Sequence, residues 1–231
     1  AEACARQANL PLMIVRSNIG EVIPGKHLLV HSYRNCGTVL LFQKLFHTYY
    51  YSSGTDLSDF VVSPEKDSAY YDLYSLHLLS TDSTTFYSYS PTVSRFEKVN
   101  SIKNYKIAHQ FLQVCTREGK NCGTCAKCAR TLVELDALNV LPNFSNVFDL
   151  LKYKKTRTMQ IGYAIANRRK PYYKDSYPAL KNSKKIPVLS WVYAIGFVLL
   201  RPLEKSLHKL SPEKKRKAVA LAKKLNIRVP W

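Results

Sequence analysis

Four cysteines, Cys115, Cys122, Cys125 and Cys128, lie in one short segment, CTREGKNCGTCAKC. The spacing C-x6-C-x2-C-x2-C suits four thiolates closing a tetrahedral site about 2.3 Å from a zinc ion. Any fold of this chain has to bring both ends of that segment to one point. Gly123 permits a tight turn between ligands. The order of residues predicts Cys115 at the end of a strand and Cys128 in the first turn of a helix. The metal would then staple two rigid elements, with every coordination position filled by protein and none left for water. The anionic site would have Arg117, Lys120, Lys127 and Arg130 close in sequence to offset it. An iron–sulfur cluster is the rival reading; ordinary core thiols or two disulfides are the others. The remaining cysteines, Cys4 and Cys36, read as small core residues.

Charge divides the chain near residue 150. Residues 1–150 hold 14 Lys/Arg against 13 Asp/Glu, whereas residues 151–231 hold 21 against 3. So basic a segment favours RNA, anionic glycan or anionic membrane through long-range attraction and counterion release, or else forms a solvated face. Tyr153, Tyr163, Tyr172, Tyr173 and Tyr177 interleave with its Lys and Arg, a pattern suited to stacking on single-stranded nucleic acid. With 46% apolar and 22% charged residues overall, the chain is expected to fold rather than remain disordered. The opening AEACARQANL has no basic start followed by a long apolar run, so it does not read as a secretory signal, and a cytoplasmic location, peripheral to the membrane at most, is expected.

The longest apolar run, Ile186–Leu200, has 15 residues, and a membrane span needs about 20. Pro187 and Pro202 bracket it. It predicts a buried helix; the alternative is a helix in a membrane interface with Trp191 and Tyr193 at headgroup level. The last stretch, SPEKKRKAVALAKKL (211–225), reads as a helix with Lys214, Lys215, Arg216 and Lys217 outward and Val219, Leu221, Ala222 and Leu225 inward.

Ala1–Asn9 reads as the end of an Ala-rich helix, and Leu10–Ser17 as a short buried strand. A helix within 26–46 leads to a strand at HTYYYSS. A loop with a short helix covers 54–83, and TTFYSYS (84–90) is a strand by its aromatic and Thr content. Ser94 and Glu97 form a capping box at the start of a helix. HQFLQV (109–114) reads as a strand, and 125–141 as a helix ended by Pro142. Strands alternating with helices predict a parallel α/β sheet over 1–150, followed by a basic, mostly helical extension over 151–231.

The stretch NCGTCAKCARTLVELDAL, with the preceding Ser94-Arg95-Phe96-Glu97-Lys98, resembles the C-terminal zinc knuckle of 7-cyano-7-deazaguanine synthase. It also resembles uncharacterised bacterial relatives in the PP-loop, or N-type ATP pyrophosphatase, group of adenine-nucleotide α-hydrolases. The resemblance covers roughly residues 1–150. It implies a Rossmann-like sheet with helices on both faces and a structural zinc on Cys115, Cys122, Cys125 and Cys128. The implied activity is ATP-dependent, ligase-like adenylation of a small-molecule substrate with release of pyrophosphate. A tRNA-modifying PP-loop enzyme is the alternative, and a non-catalytic zinc-stabilised module that binds through its basic tail is the other.

The family's phosphate loop, Ser-Gly-Gly-x-Asp-Ser after the first strand, is not found before Leu10. The chain therefore reads as truncated at its N-terminus, with ATP and Mg²⁺ expected only alongside the missing segment. The string Ser52-Ser53-Gly54-Thr55-Asp56-Leu57 is a decoy for that loop; Ser52 and Ser53 are expected to cap a strand whose end lines the pocket. Arg95 and Lys98 are the candidate substrate or phosphate contacts, as a fork and a point charge, and Arg130 is placed to reach the pocket or screen the metal. His27 and His31, spaced i,i+4, read as core or surface histidines for want of a carboxylate companion. No nucleophile–base set is evident, so no catalytic residue is assigned.

Overall fold

The aromatic and Thr-rich segments do become strands, since such side chains pack well on a pleated surface. The computed structural model describes residues 1–116 and 120–202. It divides the chain into two units, Ala1–Lys98 and Val99–Trp231.

In the first unit, α1 (Glu2–Gln7), α2 (Ile19–Val22) and α3 (His27–Leu40) precede β1 (Thr48–Ser52). Then come α4 (Asp72–Leu79) and β2 (Thr85–Tyr89). β1 and β2 pair in parallel, with Thr48 opposite Thr85 and Ser52 opposite Tyr89. The intervening α4 supplies the crossover that a parallel pair requires. Alternation sends Tyr49, Tyr51 and Phe86 to one face, where they meet Cys36 and Val39 of α3 and Leu76 and Leu79 of α4. Tyr50, Tyr87 and Tyr89 emerge on the other face and are exposed.

The described residues are thus a helix-rich mixed fold whose first unit holds a two-stranded parallel sheet. Among the described residues, helices cover one face of that sheet, where the sequence predicts helices on both. Two predicted strands are absent. Leu10–Ser17 is irregular, with Leu10 and Ile14 exposed; a short apolar run forms a strand only where a sheet edge receives it. The 109–114 strand is replaced by α6 (Lys106–Phe111), because helical spacing turns Ala108 and Leu112 into the core and sets the His109 ring 4.8 Å from Phe144. Between them, α5 (Arg95–Ile102) begins with the predicted capping box. Ser94 N–H donates to Glu97 Oε2 at 2.8 Å, and Glu97 N–H donates to Ser94 Oγ at 3.2 Å.

The second unit continues with α7 (Ala126–Ala137), α8 (Leu150–Ala166), α9 (Pro171–Lys174), α10 (Ser176–Asn182) and α11 (Leu189–Leu199). Leu132 and Leu135 of α7, Phe144, Tyr153, Ile161 and Ile165 of α8, and Leu180 of α10 form its fully buried centre. Residues 151–202 therefore share one core with the cysteine segment. Asp136 is held there by Tyr153 Oη–H at 2.9 Å and Arg157 Nε–H at 2.6 Å.

α8 and α11 run side by side in the same direction. Arg157 Nη2 donates to the Lys185 carbonyl near the start of α11, and Arg201 donates to the Ala166 carbonyl at its end. They cross at Gly162, where an added Cβ would lie 2.5 Å from Tyr193 Cβ. The buried-helix reading of 186–200 needs correction: α11 fully buries only Ser190 and Ala194, Phe197 packs half-buried against Tyr163 with ring centres 5.2 Å apart, and most of its other large side chains are exposed. Among the described residues no helix is long and apolar enough to cross a membrane. The helix expected over 211–225 lies outside the described residues.

Candidate metal centre

The cysteine segment folds around two devices: a glycine turn and a helix start. Gly123 has φ of +71°, a left-handed conformation that side chains resist. Two residues later Cys125 is the N-cap of α7, its sulfur accepting from Cys128 N–H. Cys122 Sγ likewise accepts from Cys125 N–H at 3.3 Å. Amide hydrogens and the positive end of the α7 dipole thus converge on the sulfurs, an environment that favours thiolates.

The four Sγ atoms lie within 4.8 Å of one another. Cys115 and Cys125 are 3.8 Å apart and Cys122 and Cys128 3.9 Å apart. Sulfurs 2.3 Å from a central zinc, at tetrahedral angles, stand about 3.8 Å from each other. The spacing fits one directly ligated ion, and an iron–sulfur cluster interposed between the ligands would hold them farther apart. None of the four is disulfide-bonded, which sets the disulfide reading aside. Burial raises the Cys122 thiol, but hydrogen bonds from Thr124 and Cys125 outweigh it and bring it down to about 6. Burial and the neighbouring thiols push Cys128 well up. A metal is what allows four such thiols to ionise together.

Asn121, which the sequence reading passed over, holds the centre in place. Its Oδ1 accepts from Val114 N–H and Cys115 N–H at 2.9 and 3.1 Å. Its Nδ2 donates to the carbonyls of Leu112 and Val147 at 2.8 and 3.1 Å. One side chain therefore fixes the Cys115 loop, and Cys115 follows α6 through irregular chain rather than ending a strand. An Asn directly before a ligand in a Gly-containing turn was the available signal, since Asn side chains substitute for backbone partners in loops. Lys152 of α8 donates to the Cys122 carbonyl at 2.8 Å and brings positive charge to the anionic site. Arg130 stacks on Tyr172, 4.3 Å from the ring centre. Arg117 lies outside the described residues.

The other sequence-chosen residues belong to the first unit, at the carboxyl ends of the two strands. A small pocket there is lined by Ser53, Thr55, Asp56, Asp72 and Ser88, among others. Ser52 is exposed and does not line it. Lys98 Nζ donates to the Ser53 carbonyl at 3.1 Å, and burial lowers its pKa. Arg95 stands in the first turn of the same helix, half-buried. The string 52–57 runs into a one-turn 3-10 helix, Leu57–Asp59. Two of its amides are already engaged, Ser53 N–H with Tyr89 O and Leu57 N–H with Pro91 O.

Asp72 is 3% exposed. Its Oδ1 accepts from Ser32 Oγ–H at 2.6 Å, while its Oδ2 is buried without a hydrogen-bond partner. Burial, opposed by the Ser32 hydrogen bond, raises its pKa. His31 does have a carboxylate companion: its Nε2 lies 2.8 Å from Asp67 Oδ1. The same nitrogen is 3.1 Å from Ser68 Oγ. A nucleophile–base–acid relay needs the two partners on opposite ring nitrogens and a reachable hydroxyl. Here Asp67 and Ser68 share Nε2, while Nδ1 on the other side lies 3.3 Å from both Tyr51 Oη and Ser32 Oγ; both serines are fully buried, so no reachable serine stands opposite the carboxylate. Cys36 is also inert: burial, then the nearby Asp72, pushes its thiol to about 12. The chain matches no family model, no curated protein and no solved structure.

Proposed function

We propose that this chain carries the zinc knuckle and substrate pocket of an ATP-dependent adenylating enzyme of the PP-loop kind, built on a Rossmann-like α/β scaffold. The observation that supports this reading most is the sulfur tetrad, whose 3.8 and 3.9 Å separations suit one tetrahedral zinc. The zinc is structural: four protein ligands leave no place for substrate or water, and its binding energy is folding energy. The reading assigns the small-molecule substrate to the strand-end site, since ligands of parallel sheets commonly sit there. Asp72 offers an acceptor oxygen there, and Lys98 and Arg95 supply cationic groups on the adjoining helix. ATP and Mg²⁺ chemistry in such enzymes belongs to a Ser-Gly-Gly-x-Asp-Ser loop, a string that residues 1–231 do not contain.

Two measurements test the reading. Metal analysis of protein purified without oxygen should give one zinc per chain, and Cys125→Ser should lose it and melt earlier. Iron with acid-labile sulfide overturns the zinc assignment. Phosphorus NMR of residues 1–231 joined to a segment that supplies the Ser-Gly-Gly-x-Asp-Ser loop, with ATP, Mg²⁺ and a small-molecule cell extract, should show AMP and pyrophosphate. Production of ADP and phosphate, or no consumption beyond a protein-free control, overturns the adenylating activity.

A further inference from the structure

The most apolar helix among the described residues turns most of its large side chains away from the core, Phe197 excepted. α11 packs inward through Ser190 and Ala194, which close on Gly162. Outward stand Val188, Val192, Ile195 and Leu199, 85%, 62%, 61% and 72% exposed. Their spacing of four, three and four residues makes one continuous stripe along the helix. Trp191 and Tyr193 flank it, each also exposed. A contiguous apolar surface of this kind on a folded unit marks an interaction site.

Charge says what the stripe meets. α11 contains no charged residue, but both of its ends are basic. Lys181, Lys184 and Lys185 are exposed just before it. Because α8 runs in the same direction, the exposed Arg168, Arg169 and Lys170 at its end stand beside the far end of α11. Between residues 151 and 202 there are 12 Lys/Arg and one acidic residue, Asp175. An apolar stripe rimmed by cations at both ends matches an anionic bilayer surface, where hydrocarbon takes the stripe and headgroups take the lysines and arginines. A second copy would bring like charge against like charge. So would residues 203–231, with 9 Lys/Arg against 2 Asp/Glu. RNA would satisfy the rim and leave the stripe in water.

We propose that α11 is a membrane-docking helix that lies in the plane of an anionic lipid surface. Eleven helical residues extend about 16 Å at 1.5 Å per residue, half the roughly 30 Å hydrocarbon thickness. The helix therefore lies flat, and Trp191 and Tyr193 sit at headgroup depth.

The full chain, in a Trp231→Phe background so that Trp191 alone reports, is floated with vesicles of phosphatidylcholine and of phosphatidylcholine with phosphatidylglycerol. Binding to the anionic vesicles with a blue shift of Trp191 is expected, and it should weaken as salt rises. The double variant Val192→Ser/Ile195→Ser should bind at least tenfold less while its melting curve is unchanged. Lys184→Gln/Lys185→Gln should weaken binding to the anionic vesicles alone. The proposal is overturned by absence of flotation, by equal flotation of the stripe variant, or by a dimer that the stripe variant dissolves. It is also overturned if RNA is held with affinity indifferent to the stripe variant while vesicles are not bound.

Discussion

Gly162→Ala tests the α8–α11 crossing directly. Carbon atoms in contact settle about 3.5–4.0 Å apart. The new methyl would stand 2.5 Å from Tyr193 Cβ, 2.7 Å from the Ser190 carbonyl oxygen and 3.3 Å from the Ala194 amide nitrogen. Two of these are backbone atoms, which cannot swing aside as the tip of a long side chain can. The helices must part by more than about 1 Å, and such overpacking costs roughly 1–3 kcal/mol. Alanine returns about 0.8–1.0 kcal/mol of helix propensity. A net loss of up to about 2 kcal/mol is expected, and about 1–3 kcal/mol relative to a Gly→Ala change that meets no contact. Gly196→Ala is the matched control, because a Cβ there meets nothing within 4 Å. It should gain roughly 0.5–1 kcal/mol from propensity alone. Urea unfolding followed by Trp191 fluorescence, again with Trp231→Phe, reads both variants on α11 itself. The midpoint should rise for Gly196→Ala and lie well below that for Gly162→Ala, with similar slopes. A Gly162→Ala protein as stable as Gly196→Ala would refute the close crossing, and the inward placement of Ser190 and Ala194 with it.

Two further substitutions probe the two sites. Asn121→Ala should weaken zinc binding by about 10–100-fold, measured by competition with a chromogenic chelator. Asn121→Asp should fall between, since it keeps the acceptor for Val114 and Cys115 and loses the donors to Leu112 and Val147; equal affinity in all three proteins would contradict the anchoring role. For Asp72, burial raises the carboxyl pKa above its unfolded value, so the native state holds that proton to higher pH than the unfolded chain. Stability of the first unit should therefore decline as pH rises from about 4 through the folded pKa. Asp72→Asn should flatten that decline and leave the unit more stable at pH 7. The rate of Cys36 alkylation, located by mass spectrometry, reports opening of this unit, and an unchanged pH profile in the variant would refute the assignment.

What could be read from the sequence was whatever is decided locally. The cysteine spacing, Gly123 and the helix after Cys125 are short-range features, and the sulfurs converge as the spacing predicts. The Ser94–Glu97 box is equally local, and both of its hydrogen bonds form. Strand partners are not local. Leu10–Ser17 and 109–114 have strand-like composition, but the first finds no sheet edge and the second is drawn into a helix by Ala108 and Phe144. The same limit hid the companions of His31 and Asp72. Asp67 lies 36 residues from His31 and Ser32 lies 40 from Asp72, and only the fold of α3 onto the turn before α4 joins them.

The 186–200 segment shows a subtler limit. A run apolar on every side has no preferred face by periodicity, because an inward face can be told from the pattern only where a polar face stands opposite it. Residue size decides instead. Ser190 and Ala194 lie on one side of α11, and Gly162 presents no side chain on α8, so the helices approach most closely there. Van der Waals contact between close backbones then outweighs burial of most of the larger residues, Phe197 against Tyr163 excepted, the balance familiar from helices that associate in lipid. In water alone that choice leaves Val188, Val192, Ile195 and Leu199 exposed at a cost of about 25 cal/mol for each Å² of apolar surface. An adjoining hydrocarbon phase removes the cost. The small residues that set the α8–α11 crossing and the large ones that face away from it are thus two sides of one arrangement, suited to a helix that rests on lipid.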